Sequence, residues 1–133
     1  MTRVDLISLL EANGMRLTRT RLAVAQLLFF DHQNRHVSAE WVARELDAAG
    51  ERISLATVYN TLNSFVEVGL LRQIQSVGSS VVFDTNTKPH HHFLRESTGE
   101  LIDMPEESVS FSRLPDAPEG MMVKGVDLIV RID

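Results

Sequence analysis

The chain has 133 residues, 44% hydrophobic and 23% charged, a balance that fits one ordinary domain or two small lobes and excludes a disordered polymer. Cysteine is absent, which excludes disulfides, thiolate zinc sites, iron–sulfur clusters and cysteine nucleophiles. With no apolar run near the roughly 18 residues of a membrane span and no export signal, a cytoplasmic protein without membrane contact is expected. The net charge of −5 is unevenly placed: residues 1–83 carry eight arginines against eight acids, residues 84–133 five basic residues against ten acids.

In chain order, residues 4–13 place Leu6, Ile7, Leu9 and Leu10 on one side of a predicted helix that stops at Asn13-Gly14. Arg16, Arg19 and Arg21 follow with no acid between them, a cluster suited either to phosphate contact or to a solvated helix end. Thr18 opens a second helix with Leu22, Ala25, Leu28 and Phe29 at helical spacing, and the polar loop 31–36 ends it. Ser38 caps a third helix carrying Val42, Leu46 and Ala49, stopped by Gly50.

Ser54 caps the fourth, where Leu55, Val58, Leu62, Phe65 and Val66 form an apolar stripe. Its opposite face is small and neutral (Ala56, Thr57, Asn60, Asn63, Ser64), with Tyr59 at the rim. Such a face can lie in a major groove without a charge penalty. After Gly69 the period changes. Residues 70–75 and 80–84 are strand candidates joined by the turn Ser76-Val77-Gly78-Ser79. Helices followed by a hairpin make a winged helix-turn-helix arrangement, with 54–68 as the recognition helix. The whole reads as α+β: a winged-helix domain at 1–84, a hinge at 85–89 ending in Pro89, and a small second domain at 90–133. In that domain strands are expected at 91–96, 100–104 and 121–132 around the turn 97–99, with a short helix at 106–113. About 45 residues are too few for a self-sufficient core, so burial against a second copy is expected.

Histidines stand at 32, 36, 90, 91 and 92. In a strand, His90 and His92 share a face while His91 points away. Asp84 and Asp103 could approach that face, and His36 lies in the loop before the third helix. Three imidazoles and two carboxylates suit Fe(II), Mn(II) or Zn(II). An exposed histidine triplet of no special use is the plain alternative.

The stretches Arg35-His36-Val37-Ser38-Ala39-Glu40, Ser54-Leu55-Ala56-Thr57-Val58-Tyr59 and Phe83-Asp84 followed by His90-His91-His92 resemble the ferric uptake regulator family over nearly the whole chain. The resemblance implies a homodimeric, metal-responsive transcriptional regulator, with a winged-helix domain hinged to an α/β dimerisation domain. It places one divalent ion per subunit on His36, Asp84, His90, His92 and Asp103. The family's structural zinc is excluded, since Arg95 and Thr98 stand where relatives carry Cys-x-x-Cys. A further metal site would need ligands at Pro89, Ser110 and Val126, of which none is suitable, leaving only His91. Asp84 in place of glutamate looks like the peroxide-sensing branch. Tyr59-Asn60, the missing cysteines and the run 88–93 look most like the iron-response regulator branch. That branch implies a sensor of haem or iron, with haem falling to His90, His91 or His92 and His91 as an exposed axial candidate.

The expected partner is double-stranded DNA with an A/T-rich, palindromic operator. Tyr59 and Asn60 would sit in the major groove with Thr57 as a further DNA-binding residue, Arg16 would approach the minor groove, and Arg19 and Arg21 would hold phosphates. The nearest alternative is a peroxide-sensing repressor using the same five ligands. Alternatives of other classes are a small mononuclear metalloenzyme and a winged-helix module that binds only protein; catalysis is not expected.

Overall fold

The computed structural model describes residues 1–75 and 81–133. The expected turn at 76–79 and the first residue of the 80–84 strand lie outside the described residues. The chain divides into two compact units, Met1–Thr87 and Lys88–Asp133.

The first unit holds helices α1 (Arg3–Ala12), α2 (Arg19–Phe29), α3 (Ala39–Ala48) and α4 (Leu55–Glu67), with strands β1 (His36–Val37), β2 (Arg72–Gln75) and β3 (Val81–Asp84). Each helix starts at a hydroxyl cap. Thr2 forms a capping box with Asp5, and Thr18, Ser38 and Ser54 accept from the backbone amides of Arg21, Trp41 and Thr57. Gly14, Gly50 and Gly69 follow α1, α3 and α4 with positive φ, where a β-carbon would be strained. The core is drawn from every helix and from β3: Leu6, Leu10, Val24, Ala25, Leu28, Val42, Val58, Leu62, Phe65 and Phe83 are fully buried.

The sheet of this unit runs β1-β3-β2, antiparallel throughout. His36 is therefore not a loop residue, as the sequence suggested. It pairs with Asp84 and Val37 pairs with Phe83. A two-residue strand is too short to announce itself by alternation. Thr85 extends the pairing, its backbone amide donating to the Arg35 carbonyl at 3.0 Å while its hydroxyl accepts from the Arg35 amide at 2.8 Å.

The second unit is a sheet of order β5-β4-β6, built from β4 (His91–Arg95), β5 (Leu101–Met104) and β6 (Ile129–Ile132). β4 is antiparallel to β5 and parallel to β6. The expected strand over 121–132 shrinks to 129–132, and the expected helix over 106–113 is a single 3-10 turn at Glu106–Ser108. The run Val109-Ser110-Phe111-Ser112 that follows is made of poor helix formers, serines and β-branched or aromatic residues, so the turn is not continued. Leu94, Leu101 and Met104 are buried, while Phe111, Leu114, Met121, Met122, Val123, Val126 and Val130 remain exposed.

Candidate metal centre and nucleic-acid face

In the first unit, pairing of β1 with β3 brings His36 Nε2 to 3.1 Å from Asp84 Oδ2. The Asp84 carboxylate is fully buried and His36 is 17% exposed. The other carboxylate oxygen, Oδ1, accepts the Asn86 backbone amide at 2.8 Å. A buried charge needs such partners, because leaving one without them would cost several kcal/mol. The adjacent loop is held by Arg35, which grips Asp31 through both guanidinium nitrogens at 2.6 Å and lies 5.4 Å from the Phe30 ring centroid. This bidentate bond, its largest cause, holds the Asp31 carboxyl well below the usual carboxylate range.

In the second unit, β4–β5 pairing sets His92 opposite Asp103. Nε2 of His90 and Nε2 of His92 both lie 3.3 Å from Asp103 Oδ1. The two rings meet edge to face with centroids 4.5 Å apart, and both residues are buried while Asp103 is about one third exposed. His90 Nδ1 is 2.5 Å from the Lys88 carbonyl oxygen. A carbonyl can only accept, so Nδ1 carries the proton, and in a neutral ring Nε2 presents its lone pair toward the carboxylate. Two acceptors facing each other need a cation or a second proton between them. A metal-ligating histidine commonly donates its other ring N–H to a backbone carbonyl, as His90 Nδ1 does to Lys88. His90, His92 and Asp103 each offer a ligand atom within 4.8 Å of the others. The donor set of imidazole and carboxylate without sulfur fits a borderline or hard divalent ion.

His91 behaves differently from the expectation of an exposed axial imidazole. It is half-buried, its Nδ1 accepts the Leu128 backbone amide at 3.1 Å, and its ring meets Phe111 edge to face at 5.7 Å. Strand alternation does turn it away from His90 and His92, but the incoming Leu128 segment covers the side to which it turns.

On α4, Thr57 and Asn60 are exposed, as are Ala56 and Asn63. The Ser54 hydroxyl donates to Thr57 Oγ1 at 2.8 Å and accepts the Thr57 amide at 3.2 Å, fixing the side chain at the helix start. Tyr59 is half-buried. Its hydroxyl donates to Glu40 Oε1 on α3 at 3.0 Å, and that bond, then desolvation, raises the phenol above its ordinary pKa. Arg16 is exposed between α1 and α2. Arg21 donates to the Arg16 carbonyl at 2.7 Å, and Arg19 forms a bidentate bond with Glu51 at 3.1 Å. The arginine cluster is thus partly engaged within the chain.

Sequence reasoning missed Glu40 as the Tyr59 partner, Glu51 as the Arg19 partner, and Arg72, which β2–β3 register sets directly opposite Asp84. No local signal marks the first two, which depend on helix packing; strand register was needed for the last. Among the described residues, no helix is long and apolar enough to cross a membrane.

The sequence matches the model of the ferric uptake regulator family over residues 12–130. It is 33% identical over 99 residues to the peroxide-responsive repressor PerR of Staphylococcus saprophyticus, covering 74% of this chain and 66% of that protein. It is also 33% identical over 97 residues to PerR of Staphylococcus epidermidis, covering 73% of this chain and 63% of that protein. The chain thus spans just under two thirds of the length of these relatives. Among solved structures, the ferric uptake regulator of Pseudomonas aeruginosa with manganese superposes with a TM-score of 0.71 at 29% identity, covering 94% of each chain. The ferric uptake regulator of Vibrio cholerae does so with a TM-score of 0.71 at 26% identity, covering 93% of this chain and 95% of that one.

Proposed function

The chain belongs to the ferric uptake regulator family, and from that membership we propose that it is a homodimeric, metal-responsive DNA-binding regulator of transcription, cytoplasmic and without catalytic turnover. The observation that carries the metal reading is the convergence of His90 Nε2 and His92 Nε2 on one oxygen of Asp103, with the His90 proton committed to the Lys88 carbonyl. These supply two nitrogens and an oxygen. His36 and Asp84 supply one of each. Two histidines and a carboxylate can hold a divalent ion with open positions left to water, and all five donors together approach a closed sphere.

One divalent ion per subunit, Fe(II), Mn(II) or Zn(II), held by His36, Asp84, His90, His92 and Asp103, is therefore the proposed effector site. Bound there, the ion would supply no reaction; its ligands would be His36 and Asp84 of the first unit and His90, His92 and Asp103 of the second. Residues 85–89 act as the hinge and 90–133 as the dimerisation domain, whose exposed apolar side chains support burial against a second copy. Metal affinity and DNA affinity are then linked through one conformational equilibrium.

On DNA, Thr57 and Asn60 face base edges from α4, Tyr59 lines the rim, Arg16 enters an A/T-rich minor groove, and Arg19 and Arg21 meet phosphates. A two-fold dimer reads a palindromic operator. Arg19 exchanges Glu51 for phosphate on binding. The direct experiment is fluorescence anisotropy of untagged protein on an A/T-rich palindromic duplex, with and without Mn(II). Metal-independent affinity would remove the effector role.

A second reading is peroxide sensing by the same site, in which iron-dependent oxidation of a ligand histidine releases DNA. The similarity to two PerR proteins favours it. Mass spectrometry after iron and peroxide treatment tests it, with added oxygen expected on His36 or His90. The iron-response reading, with haem on His90, His91 or His92, has less support, because His90 and His92 are buried against Asp103 and His91 Nδ1 is held by Leu128. Haem would have to take His91 Nε2.

A further inference from the structure

Asp84 stands in the middle of a row. His36 of β1 and Arg72 of β2 are both its direct cross-strand partners. Directly opposed residues on antiparallel strands project to the same face, with β-carbons about 4.5–5.5 Å apart. The three side chains therefore share the face of the sheet opposite to Phe83 and Val37, which point into the core. Asp84 is fully buried and Arg72 is partly buried. A guanidinium keeps its charge at any working pH, and partly buried charges are screened far less by salt than exposed ones.

We propose that Arg72 is an electrostatic control on the metal: its fixed positive charge beside Asp84 weakens cation binding in proportion to ionic charge and so selects a divalent over a trivalent ion. The inference rests on the reading that Asp84 is a metal ligand. Three neutral imidazoles and two carboxylates carry a charge of −2, which a divalent ion neutralises. Arg72 makes any further positive charge unfavourable. Interaction energy between fixed charges scales with their product, so the penalty on a trivalent ion is about 1.5 times that on a divalent ion in the same place. A purely structural role, holding the Asp84 carboxylate in position, would produce no such scaling.

The test compares the whole protein with Arg72→Met, Arg72→Gln and Arg72→Lys, titrated with Mn(II) and, in citrate buffer, with Ga(III) as a trivalent ion that does not change oxidation state. The two neutral variants guard against misfolding of either one, and circular dichroism reports the fold of each. Both are expected to bind Mn(II) about tenfold more tightly, with a gain for Ga(III) about 1.5 times larger on the logarithmic scale. Arg72→Lys should stay within about threefold of the parent for both ions. Unchanged or weakened Mn(II) binding in the folded neutral variants overturns the inference, as do equal gains for the two ions or a lysine variant that behaves like the neutral ones. Failure of the parent protein itself to take up Mn(II) would instead overturn the metal reading on which the inference stands.

Discussion

Ser54 caps the helix proposed to read DNA, so one residue bears on both its folding and its proposed recognition. Its hydroxyl accepts the Thr57 amide at 3.2 Å and donates to the Thr57 hydroxyl at 2.8 Å. Ser54→Ala removes both bonds. Loss of an N-cap costs about 0.5–2 kcal/mol, and this cap is exposed, so water recovers part of the loss and about 1 kcal/mol is expected. For a unit of this size that is a fall in Tm of about 4–8 °C. Thr57 also loses the donor that orients it, so discrimination between operator and random duplex should fall by up to about 1 kcal/mol.

Ser54→Asp separates the two effects. An aspartate still caps, and its charge suits the positive end of the helix, so stability should match the parent or exceed it. On the proposed docking, the same charge at this helix end should weaken DNA binding on all sequences. Thermal unfolding and anisotropy on matched and random duplexes read both quantities. An alanine variant with parental Tm and parental discrimination would refute the role of the cap. An aspartate variant that binds DNA as tightly as the parent would show that this end of α4 does not approach the backbone.

Asn60→Ala should reduce discrimination by about 1–3 kcal/mol while changing binding to random duplex little, as measured by competition anisotropy. Arg19→Ala should weaken both duplexes and lower the salt slope by about one, whereas Glu51→Gln, which frees Arg19, should strengthen both. Phe83→Ala, in the fully buried centre of the sheet, should cost about 3–5 kcal/mol by urea denaturation. The Asp31 carboxyl is held below its ordinary value of 3.8 in the folded chain, so its pair with Arg35 stabilises above that pH and the contribution is lost as pH falls below it. Asp31→Asn should accordingly be less stable than the parent near neutrality, with the difference narrowing steadily in acid.

Helix starts were legible because a hydroxyl residue followed by a periodic apolar pattern has one good local solution, and Thr18, Ser38 and Ser54 all adopt it. The opposite directions of His91 and His92 were legible for the same reason, since they follow from the strand period, while His90, one residue before β4, reaches the same carboxylate oxygen as His92. What local pattern could not supply was register. Nothing near His36 announces that it pairs with Asp84, and nothing near Arg72 announces that it stands on the other side of the same carboxylate. The overlong strand expected at 121–132 has a related origin. Met121, Met122 and Val123 look like strand residues, yet among the described residues they pair with no strand, and they remain exposed. His91 shows the limit in reverse: the strand period gave its direction, but only the return of Leu128 decided that it would be covered.

The measurement closest to the central claim is a Mn(II) titration calorimetry series on untagged protein, its His90→Ala/His92→Ala variant and its His36→Ala variant, each followed by DNA binding with and without the ion. One ion per subunit is expected in the parent, no uptake when His90 and His92 are both replaced, and DNA affinity in the His36 variant that no longer responds to metal. Parental stoichiometry and affinity in the double variant would contradict the claim, because the ion would then be held by residues other than the pair that converges on Asp103.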